Sequence, residues 1–134
     1  MTNEAEVYFA LYGSEFDLEE ATRRIGIEPT SIKRKGEPKT RKHLFWQISP
    51  DRIEGDIIDI YEMSSALVAQ LAPFAEKIAS TRQALGLEAV LEVVLWISTD
   101  ESKSTPAIGF DHEVISFLQK VGATIDVDTY CNAP

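Results

Sequence analysis

Two segments of this chain are punctuated in the same way, and the repetition restricts the fold to a small set. Phe16-Asp17-x-Glu19 runs to Ile25-Gly26, and Phe110-Asp111-x-Glu113 runs to Val121-Gly122. Each opens on an aspartate able to accept from the free amides of a first helical turn. Each closes on glycine, which enters the left-handed C-terminal cap at least cost. In the first segment Glu20 stands at the capping-box position, and Leu18, Ala21 and Ile25 form an inner face. In the second, Val114, Ile115, Phe117, Leu118 and Val121 recur at helical spacing, and Phe110 and Ile115 are placed for a hydrophobic staple. Each predicted helix lies between segments with the period of two expected of strands. Over residues 6–12, Val7, Phe9 and Leu11 alternate with Glu6, Tyr8 and Tyr12. Over 43–49, Leu44, Trp46 and Ile48 share a face. Over 88–98, Ala89, Leu91, Val93, Leu95 and Ile97 oppose Val90, Glu92, Val94 and Trp96, and residues 123–131 form the last strand.

Between the two halves, residues 56–85 read as a helical insert. Asp56 is the expected cap, and Ile57, Ile60, Tyr61, Leu67, Val68 and Leu71 follow helical spacing. Pro73 interrupts the pattern, Phe74, Ile78, Thr81 and Leu85 resume it, and Gly86 stops it. Residues 31–42, with Gly36 and Pro38 as breakers, read as a loop. The expectation is an α+β chain of βαβ–(helical insert)–βαβ order, with a four-stranded, mainly antiparallel sheet of ferredoxin-like arrangement. Its 134 residues, 44% hydrophobic and 26% charged, fit a single folded domain over residues 1–134 and exclude a disordered or collagen-like chain.

Several of these residues belong to a wider pattern. The run Phe16-Asp17-x-Glu19-Glu20-x-Thr22-x-x-Ile25-Gly26-Ile27-x-Pro29-Thr30 is followed by Gly36 and Trp46. The ending is Gly122-Ala123-x-Ile125-Asp126-Val127-Asp128-x-Tyr130. Together they resemble the bacterial domain-of-unknown-function family 4279 across nearly the whole chain. Ala21 departs from the pattern, standing where a bulkier aliphatic residue is expected before Thr22. The resemblance implies a small cytoplasmic bacterial α+β domain. It brings no activity, cofactor or catalytic residue.

Charge is unevenly spread. The 22 acids exceed the 13 lysines and arginines, for a net charge of −9. Yet Lys33, Arg34, Lys35, Lys39, Arg41 and Lys42, with Glu37 the sole acid among them, concentrate +5 in residues 33–42 and leave −14 elsewhere. The overall balance disfavours nucleic acid and anionic membranes, whereas the basic loop suits phosphate or an acidic partner. A solvated loop is its alternative reading, and it lacks the glycine-rich cradle of a nucleotide site. Met1 to Glu6 carries neither a basic residue nor an apolar run, so no export signal is read there. The longest apolar stretch, around Val93–Ile97, is far short of the roughly 20 residues that span a bilayer. Cytoplasmic localisation is therefore expected. Cys131, the single cysteine, excludes a disulfide within this sequence and reads as a small core residue before a reactive thiol.

Candidate site residues follow from strand parity. If Ile125 and its counterparts face the helices, the opposite sheet face collects Tyr8, Tyr12, Phe45, Trp96 and Tyr130 with His43, Glu92, Asp126 and Asp128. Such an aromatic, partly acidic face is suited to interaction, unless the helical insert covers it and the rings are core. Asp126 and Asp128 have the spacing to hold Mg²⁺ or Ca²⁺, or to form a proton-transfer pair; a solvated sheet face is the alternative. There is no G-x-S-x-G elbow, H-E-x-x-H pair or Cys/His ligand set, and His43 and His112 stand alone. The leading expectation is a non-catalytic binding module acting through this face and the basic loop, with no cofactor. Its partner is a protein or a second copy, in an immunity-like role. The alternative is a small enzyme or metal-binding protein using Asp126 and Asp128.

Overall fold

In a computed structural model, which describes residues 2–36 and 39–132, the alternating segments become two long central strands. These are β1 (Asn3–Gly13) and β5 (Glu88–Ser98), paired antiparallel from Glu4 opposite Trp96 to Tyr12 opposite Glu88. Helix α1 (Leu18–Ile25) leads to β2 (Ser31–Lys33), and β3 (Leu44–Ile48) returns between β2 and β1. A short β4 (Ile53–Gly55) pairs with the start of β1. Helices α2 (Ile60–Leu71) and α3 (Ala75–Leu85) form the insert, joined by a 3-10 turn with Pro73 at its start. After β5, α4 (His112–Val121) crosses to β6 (Thr124–Asn132), which lies parallel beside β5.

The α+β class and the mainly antiparallel sheet agree with expectation. Among the described residues the sheet has six strands rather than four, in the order β2-β3-β1-β5-β6, with β4 beside β1. β2 and β4 have no strand signature in the sequence, because three residues are too few to display a period of two. Part of the expected 31–42 loop is thus strand, and Glu37 and Pro38 lie outside the described residues.

Packing is one-sided. Val7, Phe9 and Leu11 of β1 and Ala89, Leu91, Val93 and Leu95 of β5 join one core with buried residues of all four helices. Phe9 meets Phe117 of α4 edge to face at 5.7 Å. Trp46, on the same side of β3, is fully buried, and its Nε1–H donates to Thr22 Oγ1 at 3.0 Å, which binds the strand to α1. Two residues of the family pattern therefore meet each other in the core.

Both predicted caps form. The Asp17 carboxylate accepts from the Glu19 and Glu20 amides, and Asp111 accepts from the Val114 amide. Gly26 and Gly122 adopt left-handed backbone at φ 91° and 74°. At Gly122 a side chain would also crowd Arg82, whose Nε–H donates to Val121 O at 2.8 Å and ties α3 to α4. The capping box does not close, since Glu20 turns to Arg24 instead. Nor does the staple, because Ile115 lies on the outer flank of α4 and is 53% exposed.

The insert helix starts later than predicted. Asp59, not Asp56, is its cap and accepts from the Tyr61 amide. Ala107 donates to Ile58 O at 3.0 Å and accepts from the Ile60 amide at 2.9 Å, which holds residues 58 and 59 extended and delays the first turn. Asp56 pairs with Lys103, and Ile57 is 80% exposed rather than core. Asn3 is a fully buried anchor: its side chain donates to Asp56 O and Ser104 O and accepts from the Ser98 amide. Cys131 is exposed, correcting the core reading, because β6 is an edge strand that α4 does not fully cover. Among the described residues no helix is long and apolar enough to cross a membrane.

Candidate binding face

With α1 to α4 all on one side, the other side of the sheet carries no helix among the described residues. Strand parity and register put Tyr8, Tyr12, Phe45, Trp96, Tyr130, Glu92, Asp126 and Asp128 there. The rings lie outside the helix-side core rather than under the insert. Tyr8, Tyr12, Phe45 and Trp96 are half-buried by one another and their neighbours, and Tyr130 is exposed.

The centre of the face is acidic. Tyr8 of β1, Glu92 of β5 and Asp126 of β6 stand abreast across three strands, and Asp128 follows two residues along β6. Oxygens of Glu92, Asp126 and Asp128 come within 4.8 Å of one another. Glu92 is only 7% exposed, and burial is the main force that pushes its carboxyl up to about 9. Hydrogen bonds with Asp128 and Asp126, and the charges of these two groups, push the same way. At neutral pH Glu92 is therefore a protonated acid, with one proton to share with Asp128 or Asp126. Burial, with the negative charges of Glu92, Glu6, Asp128 and Asp126, pushes the Tyr8 hydroxyl up to about 12, so it too remains a donor.

Aromatic clusters flank this centre. Near the basic loop, Tyr12 stacks on Phe45 at 5.3 Å and meets His43 edge-on at 5.6 Å. At the far end Trp96 stacks on Tyr130 at 6.1 Å. Arg52 lies 4.0 Å over the Trp96 ring while donating to Glu4 at 3.0 Å and Glu6 at 3.1 Å. Lys33 reaches over Tyr8, 5.9 Å from its centroid. The chain thus seats two of its own cations on this face.

The basic loop is less a part of the site than expected. Lys33, on β2, approaches the face, whereas Lys35 pairs with Glu15. Arg34, Lys39 and Lys42 are exposed, and Arg41 is half-buried with its carbonyl accepting from Gly36 N–H at 3.0 Å.

Arg52, Glu4 and Gln47 stand on or beside this face and are not among the residues expected there. β3 pairs with residues 9–13 of β1 and β4 with residues 3–5, which leaves a polar recess of about 230 Å³ between them. Gln47 borders it beside Glu6, Tyr8, Ser31 and Lys33. Its Oε1 accepts from Ser31 Oγ at 2.9 Å, while Nε2 is buried without a partner among the described residues. Parity alone would have found Gln47, which sits two residues from Phe45 on the same strand. Arg52 precedes a strand too short to recognise.

The family model described as Domain of unknown function (DUF4279) matches residues 3–132. No curated protein and no solved structure matches the chain.

Proposed function

Because the chain belongs to the DUF4279 family, whose description assigns no function, we propose from its geometry that the protein is a non-catalytic binding module whose helix-free sheet face takes a cationic segment of a protein partner. The observation that carries this reading is the seating of Arg52 over Trp96 between Glu4 and Glu6. A guanidinium held by a ring face and two carboxylates is the chemistry by which an incoming arginine is recognised. The acids at the centre of the face repel phosphate, which argues against single-stranded nucleic acid despite the aromatic rings. An immunity-like role, neutralising a basic partner, fits the same charge.

The β1–β5 portion we read as ferredoxin-like. Its strands run in the order β2-β3-β1-β5, each pairing is antiparallel, and α1 and the α2–α3 insert make the two crossovers. On this reading α4 and β6 extend the sheet, and the extension supplies Asp126 and Asp128. Selection of displayed random peptides on the whole protein tests the binding role. Enrichment of Lys- and Arg-containing sequences is expected, and Trp96→Ala is expected to abolish it while the protein still unfolds cooperatively, at a somewhat lower temperature because the contacts with Tyr130 and Arg52 are lost. Enrichment of acidic peptides, or selection indifferent to Trp96, refutes it.

A divalent cation at Glu92, Asp126 and Asp128 is the second reading, favoured by the convergence of their oxygens. Binding must displace the Glu92 proton, so affinity for Ca²⁺, Mg²⁺ or Mn²⁺ should rise with pH up to about 9. Calorimetric titration with each ion at neutral and alkaline pH checks this. Absence of heat at both pH values excludes the site.

A further inference from the structure

We propose that β6 is a strand-addition edge that takes an extended basic segment of a protein partner rather than a second copy of this chain. The inference deepens the binding-face reading and rests on it. β6 ends the strand order and, among the described residues, is paired with β5 alone. Thr124 to Cys131 are all exposed. A strand of this length at an uncovered edge presents a row of backbone donors and acceptors ready to pair with another strand.

The two sides of this edge make different demands on an occupant. On the helix-free side stand Asp126, Asp128 and Tyr130 beside Glu92. On the other side Ile125 and Val127 are 39% and 38% exposed. Ile125 shares with Ile115 a groove of about 520 Å³ that runs between α4 and the start of β6. An added strand continues the pleat, so its alternate residues meet these two sides in turn. Lysine or arginine at alternate positions answers the aspartates, and aliphatic residues between them cover Ile125 and Val127.

The same acids oppose self-pairing. Two copies of β6 joined antiparallel about a two-fold axis keep like faces together, so a residue can only oppose one of its own parity. Centring the pair on residue 126, 127 or 128 sets Asp126 against Asp126, Asp126 against Asp128, or Asp128 against Asp128. Like charges directly opposed across strands are destabilising. Asp126 and Asp128 thus turn an aggregation-prone edge into one selective for positive charge.

The test adds a short end-blocked peptide of alternating lysine and valine to the whole, isotopically labelled protein, with a glutamate–valine peptide as control. The lysine peptide is expected to bind about tenfold tighter or more. It should also slow hydrogen exchange at the β6 amides that do not bond to β5. N-methylation of alternate peptide amides should weaken binding by about the same factor. The double variant Asp126→Lys, Asp128→Lys should reverse the charge preference; should it not fold, Asp126→Asn with Asp128→Asn should remove the preference instead. Binding that perturbs Tyr8 and Trp96 but leaves β6 exchange unchanged overturns strand addition and leaves the binding-face reading standing. No response to the lysine peptide overturns the inference, and the display selection then judges the broader reading separately. Sedimentation as a dimer with β6 protected overturns it by making a second copy the occupant.

Discussion

Replacing Glu92 with glutamine will stabilise the protein at neutral and alkaline pH and leave its stability near pH 4 unchanged. Glu92 keeps its proton in the folded state up to about pH 9, against an ordinary value of 4.5. Below the ordinary value both folded and unfolded chains are protonated there, and the residue adds no pH dependence. Between the two values the unfolded chain releases a proton that the folded chain retains. Stability then falls as pH rises, by up to about 1.4 kcal/mol per pH unit, and levels off above the folded value. Glutamine has nearly the same shape and still offers a donor to Asp126 and Asp128, but it has no proton to lose. The gain at pH 7 should be on the order of 2–3 kcal/mol, and larger near pH 9. Urea midpoints of both proteins across this range provide the measurement. Parallel pH profiles would show that Glu92 ionises in the fold as it does in water.

This cost bears on function. An apolar residue at position 92 would fill the same place between Val90 and Val94 without penalty. An acid held neutral against two carboxylates weakens the fold, and sites that violate the rules of stable packing are where function is sought. The acid also couples the face to its occupant. A cationic group near Asp126 and Asp128 lowers the field that keeps Glu92 protonated, so binding draws a proton off and should strengthen with pH.

What could be read from the sequence divides along the line between local and distant causes. Asp17, Asp111, Gly26 and Gly122 are legible as caps because capping is chemistry within one helical turn. The shared face of Tyr8, Tyr12, Phe45, Trp96, Asp126, Asp128 and Tyr130 follows from parity along each strand. Asp56 and Asp59 are equally good caps in isolation; two hydrogen bonds with Ala107, some fifty residues on, choose between them. The approach of Glu92 to Asp126 has a similar origin, in the parallel register of β5 and β6, which no segment encodes alone. Arg52 reaches Trp96 because β4 pairs with β1, and three residues give no warning of that pairing. The basic loop shows the opposite case. Its charge is plain in the sequence, yet only Lys33 is carried by a strand to the face.

Trp46→Ala should cost about 3–5 kcal/mol of stability, from the lost burial and the cavity left behind taken together. The ring is fully buried on the helix side of β3. Its loss also removes the donor to Thr22 Oγ1, although Thr22 keeps a second bond of its own, to Leu18 O at 3.2 Å. Against a total of roughly 5–15 kcal/mol, such a loss brings a small domain close to unfolding at physiological temperature. Trp46→Phe isolates the polar contribution. It keeps most of the apolar contact and gives up the N–H donor, at a cost nearer 1–2 kcal/mol. Thermal and urea unfolding followed by circular dichroism measure both variants, and a Trp46→Ala protein that melts like the parent would contradict the packing described. The contrast with Trp96 separates fold from function within one chain. Trp46 and Thr22 carry the family resemblance through the core, whereas Trp96 lies outside that pattern, on the helix-free face under Arg52. Loss of Trp46 should therefore abolish binding only by abolishing the fold, while loss of Trp96 should spare the fold and remove the cation seat.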